Sequence, residues 1–190
     1  MFRIAITGGM GSGKSTLCRM LEQEGTPVFS CDAEARRLMA SDAGLRRQIE
    51  QLVGSLERDA LRKFLAAGPQ QAERLNRLVW PRVAEEWTAF CQKHEAQGTD
   101  AVVMECALLF ESGFESQADV SILVTAPADL RLRRVTARDG ITPARARSIM
   151  ALQMSEDEKQ RRADHTIYNI YAREDLLQAF HALQLPYPTP

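Results

Sequence analysis

The sequence predicts an α/β fold in which a five-stranded parallel sheet carries a phosphate-binding loop. The apolar run from Phe2 to Ile6 leads directly into a glycine-rich loop, and a helical pattern follows that loop. Later apolar runs are nearly continuous, which is typical of strands that are buried on both faces of a parallel sheet. Helical patterns separate these runs along the chain, as the crossovers between parallel strands require.

Five segments have the composition of strands. In chain order they read FRIAI (2–6), PVFSC (27–31), DAVVMEC (100–106), ADVSILVTA (118–126) and HTIYNIY (165–171). In a sheet of this kind, ligands bind outside the carboxyl ends of the strands. We therefore expect functional side chains directly after the strand segments.

Helical periodicity dominates residues 33–97, where no convincing strand occurs. Three helices are predicted there, and Pro81 inside the third means that this helix is kinked or restarts. Their apolar positions are, in order, Leu45, Ile49 and Leu52; Leu61, Phe64 and Leu65; and Leu75, Val79, Val83 and Trp87.

Further helices follow the fourth strand. Pro127 is expected in the first turn of one, a short basic helix follows the segment RDGITP, and REDLLQAFHAL forms the last helix. These patterns divide the chain into three parts. They are a core of residues 1–31, 99–137 and 153–190, a helical domain of residues 32–98 and a small lid of residues 138–152.

Length and composition exclude several classes of protein. A chain of 190 residues suits one α/β core with inserted elements. No apolar run approaches the roughly 20 residues of a membrane span, and the first residues lack a signal-peptide pattern, so we expect a cytoplasmic location. The net charge of −1 predicts no nucleic-acid partner. Four widely spaced cysteines predict reduced, buried thiols rather than a zinc site or disulfides.

The strongest functional pattern is the segment GGMGSGKST. Gly8, Gly13, Lys14 and Ser15 match G-x-x-x-x-G-K-[ST], and the strand before and the helix after are the context that this phosphate-binding pattern requires. The glycines let backbone N–H groups face the phosphates, and the helix presents its positive dipole end to them. Lys14 is expected to reach the β- and γ-phosphates, and Ser15, with Thr16 nearby, to hold Mg²⁺. The loop alone leaves open a switch, a motor, a passive nucleotide binder or a kinase.

Asp32 follows the second predicted strand, at the sheet edge where the nucleotide is expected. Its carboxylate could accept a proton from an attacking hydroxyl or hold a magnesium-bound water. An aspartate in this position is also a natural helix N-cap, which would bond the N–H groups of Glu34 or Ala35. Position alone does not separate these two interpretations.

Other charged residues near the predicted sheet edge are candidates. Arg134 and Arg138 lie one helical turn apart and could both reach a triphosphate, where guanidinium groups suit the charge of a transferred phosphoryl group. Among the basic residues, we single out Arg138. Glu105 ends the third strand, so it is either a magnesium-ordering acid or a solvated loop glutamate, and Glu111 follows it. The remaining basic candidates are Arg131, Arg133, Arg145, Arg147, Lys159, Arg161 and Arg162.

Six segments together resemble the dephospho-coenzyme A kinase family, in one order from Ile4 to about Tyr171. They are ITGGMGSGKST, VFSCDAEARR, LLFESG, RVTARDGIT, LQMSEDEK and ADHTIYN. The resemblance implies a P-loop kinase fold of the nucleoside-monophosphate-kinase type, in which residues 32–98 form the substrate domain and residues 138–152 the lid. It implies small-molecule substrates: the γ-phosphoryl of ATP passes to the ribose 3′-hydroxyl of dephospho-coenzyme A, with ATP and Mg²⁺ required.

The resemblance also assigns roles to residues. Asp32 falls on the catalytic base, Arg138 on the lid arginine, and Asn169 on the asparagine near the adenine. The residue patterns themselves, rather than the resemblance, place Mg²⁺ on Ser15, with Asp32 or Glu105 acting through water. The family's ATP loop falls on Gly9, Met10, Gly11, Ser12, Gly13, Lys14, Ser15 and Thr16.

The chain departs from the usual family pattern away from the loop. Trp80 and Pro81 replace a histidine-proline pair, and the tryptophan either stacks on an adenine or packs in the core of the helical domain. The other departures are Ser30 for an aspartate, Ala107 for a proline, and Ile170 and Tyr171 for an asparagine and a glycine.

The sequence also bears on three other functions. The chain lacks the N-K-x-D and D-x-x-G motifs of a GTP switch. The presence of both Lys14 and Asp32 argues against a non-catalytic nucleotide-binding module. The remaining alternative is a P-loop kinase of another small nucleotide or nucleoside.

Overall fold

A five-stranded sheet organises the computed structural model, which describes residues 1–170 and 173–186. Every strand pair is parallel, in the order β2-β3-β1-β4-β5. The predicted α/β class and parallel sheet are therefore confirmed. The strands are β1 (Phe2–Thr7), β2 (Val28–Ser30), β3 (Ala101–Glu105), β4 (Val120–Thr125) and β5 (His165–Tyr168).

Ten α-helices connect and cover these strands within the described residues, and a short 3₁₀ helix, Phe114–Gln117, precedes β4. The first five are α1 (Lys14–Gln23), α2 (Cys31–Ser41), α3 (Ala43–Val53), α4 (Arg58–Ala66) and α5 (Pro69–Ala96). The others are α6 (Leu109–Ser112), α7 (Ala128–Asp139), α8 (Pro143–Met150), α9 (Glu156–Arg162) and α10 (Arg173–His181).

The chain forms two compact units, of which the first contains the sheet. This unit comprises residues 1–30 and the described residues from 93 onward. All residues of β3 and β4 are buried, which explains their continuous apolar pattern. One core cluster joins the sheet to α1 and α10, and it includes Ile4, Ile6, Leu17, Leu21, Val103, Ile122, Val124, Ile167, Leu176 and Phe180.

The second unit, Cys31–Gln92, is entirely helical. Its α3 begins where the Asp42 side chain accepts a hydrogen bond from the Leu45 N–H at 2.9 Å, and ends at Gly54 in the left-handed conformation. Helix α5 continues through Pro81, so it does not restart there. Trp80 is only 8% exposed, which supports core packing over adenine stacking.

Three boundaries differ from the sequence-based expectation. Pro127 precedes α7 instead of lying in its first turn, and its carbonyl accepts the Arg131 N–H. Helix α2 begins at Cys31, so Asp32 lies inside the first turn and is not the N-cap. Strand β5 ends at Tyr168, because the Asn169 N–H bonds the Thr125 carbonyl and the ladder then stops. Tyr171, the end of the predicted strand, lies outside the described residues.

The structure bears on two predictions that composition made, one about the cysteines and one about membrane spans. All four cysteines are buried, and burial raises the pKa of the Cys18 thiol, as expected for unreactive thiols. Among the helices of residues 1–170 and 173–186, none has the length and apolar character that crossing a membrane requires.

Candidate active site

The phosphate loop connects β1 to α1 and has the predicted form. Helix α1 begins at Lys14, directly after Gly13, which adopts a left-handed φ of 104°. A Cβ atom on Gly13 would stand only 2.0 Å from the side-chain nitrogen of Asn169, so glycine is required by both conformation and space. The Lys14 N–H, the first of the helix, lies 3.4 Å from the Ser12 hydroxyl oxygen of the loop, and the start of a helix is a favourable place for a phosphate.

Glu105 lies against the side chains of Lys14 and Ser15 at the end of the loop. Parallel pairing places it beside Ile6, just before the loop. Its Oε1 accepts hydrogen bonds from Lys14 Nζ at 2.7 Å and from Ser15 Oγ at 2.5 Å. Both partners of the ion pair are largely buried, with side chains 9% and 12% exposed. This contact favours the functional interpretation of Glu105 over that of a solvated loop residue.

The pKa of Glu105 reflects two opposing effects. Burial raises the pKa, because it disfavours the charged carboxylate. The charge of Lys14 and the hydrogen bonds from Lys14, Ser15 and Ser30 together outweigh burial, so the pKa is lowered overall. Glu105 is therefore ionised at neutral pH and presents a negative oxygen beside the loop.

Asn169 also contacts the loop. Its side-chain nitrogen donates to the Ser12 carbonyl at 2.7 Å, immediately before Gly13. Its backbone N–H donates to the Thr125 carbonyl at 2.7 Å, which fixes it at the end of β4. Its place near the adenine stays a prediction, while the structure adds this direct contact with the loop backbone.

Contacts that the sequence did not indicate surround the outer side of the loop. Arg131 and Glu156 form an ion pair at 3.3 Å against Gly9, and Gln153 accepts a hydrogen bond from the Met10 N–H at 3.1 Å. The segment SEDE offered one signal, because S-x-x-E marks a helix start. Ser155 indeed accepts the Glu158 N–H there, but that pattern carries no functional information.

Asp32 and Arg138, the other two predicted catalytic groups, belong to different units of the chain. Asp32 belongs to the helical unit, in the first turn of α2. Arg138 lies in the last turn of α7, with a side chain 63% exposed and paired to Asp139 at 2.7 and 2.9 Å. Arg134 instead points to the loop, 3.5 Å from the Gly11 carbonyl, which is long for a hydrogen bond.

The oxygen atoms beside the loop fit a magnesium ion. Mg²⁺ prefers oxygen ligands and keeps several waters, so one hydroxyl and a nearby carboxylate suffice. The Ser15 hydroxyl and the Glu105 carboxylate already lie together. A cluster of three or more His, Cys, Asp or Glu ligands does not occur in the described part of the chain, and this mode of binding does not need one.

Comparisons with known proteins identify the family of this chain. Residues 2–174 match the family model described as dephospho-CoA kinase. A dephospho-CoA kinase of Salinibacter ruber is 36% identical over 93% of this chain and 92% of its own length. A dephospho-CoA kinase of Cereibacter sphaeroides is 38% identical over 87% of this chain and 86% of its own length.

Two solved structures have a fold similar to that of this chain. A Thermus thermophilus protein superposes with a TM-score of 0.84 at 32% identity, covering 99% of this chain and 98% of that one. The dephospho-CoA kinase of Campylobacter jejuni superposes with a TM-score of 0.66 at 23% identity, covering 96% and 95%. That second likeness concerns the fold alone. From the family match and the curated relatives, the chain belongs to the dephospho-CoA kinase family.

Proposed function

We propose that this protein transfers the γ-phosphoryl group of ATP to the ribose 3′-hydroxyl of dephospho-coenzyme A, the last step of coenzyme A synthesis. The observation that carries this proposal is the family match across residues 2–174. The phosphate loop supplies the matching chemistry, because its lysine and serine are already positioned beside a buried carboxylate.

In the proposed reaction, the loop N–H groups and Lys14 bind the phosphates of ATP. Phosphoryl transfer needs mainly positioning and stabilisation of charge on the transferred group. Lys14 now donates to Glu105, so a bound triphosphate would compete for the same ammonium group. When bound, Mg²⁺ would neutralise phosphate charge, held by Ser15 with Glu105 or Asp32 acting through water. Asp32 is proposed to accept the proton of the attacking hydroxyl.

The domain roles belong to the same proposal. Residues 32–98 are proposed to bind the acceptor, and residues 138–152 to form a lid that brings Arg138 to the transferred phosphoryl group. A cytoplasmic location remains an expectation from the sequence.

Arg138→Ala should lower turnover much more than ATP binding, because its guanidinium is proposed to act on the transition state. Its present partner, Asp139, is the adjacent exposed residue, so little stability should be lost. Arg161→Ala is the matched control, since this exposed arginine also pairs with a carboxylate of its own helix. Equal turnover in Arg138→Ala and Arg161→Ala would show that Arg138 is an exposed charged residue without a role in catalysis.

Ligand-induced closure of the lid can be measured separately. A non-hydrolysable ATP analogue together with the acceptor should slow hydrogen exchange between Arg138 and Met150. Exchange that is unchanged with both ligands bound would show that α8 and the residues before it do not close.

A coupled assay of ADP release with ATP, Mg²⁺ and a panel of acceptors tests the proposed function. We expect the highest kcat/KM with dephospho-coenzyme A. A higher kcat/KM with a different nucleotide or nucleoside would support the alternative kinase. ADP release that does not depend on any acceptor would contradict both.

A further inference from the structure

We propose that residues 153–159, the segment QMSEDEK, form a strap that positions the phosphate loop for ATP through Gln153 and Glu156. This inference rests on the proposed function only for turnover, because its main measurement is ATP affinity. The strap connects α8 to the body of α9 and contacts two consecutive loop residues.

Glu156 links three elements around the loop. One carboxylate oxygen accepts the Thr125 hydroxyl at 2.5 Å, at the end of β4, and the other accepts Arg131 of α7 at 3.3 Å. The side chains of Glu156 and Arg131 are only 20% and 11% exposed. Arg131 is further fixed by its bond to the Ala126 carbonyl. Shielded, charge-assisted contacts of this kind hold a side chain in one geometry.

The Glu156 and Arg131 pair packs directly on Gly9. A Cβ atom there would stand 2.3 Å from the Glu156 Oε1 and 2.5 Å from the Arg131 Nη1. The backbone of Gly9 is not in the left-handed region, so its conformation would accept alanine. A methyl group at this position would therefore displace the ends of the Glu156 and Arg131 side chains, although the backbone itself would accept it.

Gln153 holds the next loop residue. Its side-chain oxygen accepts the Met10 N–H at 3.1 Å. A loop N–H that is tied to a side chain has a fixed direction, and the neighbouring peptide planes are constrained with it. Gln153 and Glu156 therefore restrict both Gly9 and Met10, at the start of the loop.

The strap is itself anchored to the segment after β3. The Met154 N–H donates to the Glu111 carboxylate at 2.8 Å. Lys159 is completely buried, and its Nζ donates to the Ala107 carbonyl at 3.1 Å and lies 3.6 Å from Glu111. Because the strap is fixed at Met154 and Lys159, Gln153 and Glu156 are held in position to restrain the loop.

Glu156→Ala tests the strap, with Glu158→Ala as the matched control on the same helix. Glu158 is 40% exposed and pairs with Arg161 of the same helix. Calorimetry should give an ATP Kd about tenfold weaker for Glu156→Ala, as expected for lost charge-assisted bonds, and unchanged for the control. Glu156→Gln keeps atoms that can form hydrogen bonds, so its ATP Kd should lie between those of the parent and of Glu156→Ala. The KM for the acceptor should not change.

Equal ATP affinity in the folded Glu156→Ala and Glu158→Ala variants would overturn the proposal. An increase in the acceptor KM of Glu156→Ala as large as the increase in its ATP Kd would overturn it too. If Glu156→Ala does not fold, Gln153→Leu replaces it, because this change removes the acceptor of the Met10 N–H and leaves the Glu156–Arg131 ion pair in place. An ATP Kd for Gln153→Leu equal to that of the parent would then overturn the proposal.

A double-mutant cycle tests the contact with Gly9. Gly9→Ala should weaken ATP binding. The loss of ATP-binding free energy in the double variant Gly9→Ala/Glu156→Ala should be smaller than the sum of the two single losses, because Glu156→Ala makes room for the new methyl group. Additive losses would contradict the contact. If the parent binds ATP but does not phosphorylate dephospho-coenzyme A, the proposed function fails while these affinity measurements still decide the strap.

Discussion

Lys14→Ala is expected to abolish turnover and to weaken ATP binding. The proposed role of the lysine is to place its positive charge against the β- and γ-phosphates, and a charge-assisted contact of this kind is among the stronger polar interactions in proteins. Calorimetry with ATP and an assay of acceptor phosphorylation measure the two effects. Unchanged ATP affinity in the variant would contradict the assignment of the loop.

The buried contact of Lys14 requires a second variant as control. Lys14→Ala leaves the Glu105 carboxylate without its charge partner, and breaking a buried pair typically costs about 3–5 kcal/mol. The thermal stability of Lys14→Ala should therefore fall although the fold survives. Adding Glu105→Gln removes the unpaired charge and should restore stability without restoring turnover. If activity returned together with stability, the loss in Lys14→Ala would be one of folding.

Asp32→Asn should lower acceptor phosphorylation by roughly 10²- to 10⁴-fold, the usual contribution of a positioned general base. Asparagine has almost the same shape but is not a proton acceptor at neutral pH. ATP should still bind, because the change leaves the phosphate loop intact. Melting temperature, ATP affinity and turnover of the one variant are measured together.

The position of Asp32 in α2 defines its control. A negative charge in the first turn of a helix stabilises it by about 0.3–1 kcal/mol, so Asp32→Asn should lose no more than this. Glu34→Gln removes a negative charge from the same turn and should leave turnover intact. A large loss of stability with turnover per folded molecule intact would make Asp32 structural. Full activity in a stable variant would mean that another group activates the hydroxyl.

Local patterns predicted the sheet and the loop because the physical causes are local. Parallel strands buried on both faces produce continuous apolar runs, and the G-x-x-x-x-G-K-S spacing matches one backbone shape. The predicted starts of two helices differ from the observed ones, at Pro127 before α7 and at Asp32 in α2. Pro127 lies one position before the first turn in which it was expected, whereas Asp32 lies two positions inside the helix that it was expected to cap, because local sequence defines helix ends only to within one or two residues.

Contacts between distant segments could not be predicted in the same way. Glu105 was one of two glutamates near β3, and only the register beside Ile6 brings it to Lys14. Glu156 was not distinguished from its acidic neighbours, although it alone contacts Thr125, Arg131 and Gly9 among the acidic residues of that segment. Such pairs depend on the folded path of the chain.

Product analysis from a mixture of acceptors tests the central claim most directly. The protein is incubated with ATP, Mg²⁺ and equal concentrations of dephospho-coenzyme A, adenosine and adenosine monophosphate, and the phosphorylated products are identified by mass spectrometry and NMR. Competition of this kind measures the ratio of kcat/KM values. The proposed function predicts that the main product is coenzyme A, with the new phosphate on the ribose 3′-oxygen. Predominant phosphorylation of another acceptor, or of another oxygen of dephospho-coenzyme A, would contradict it.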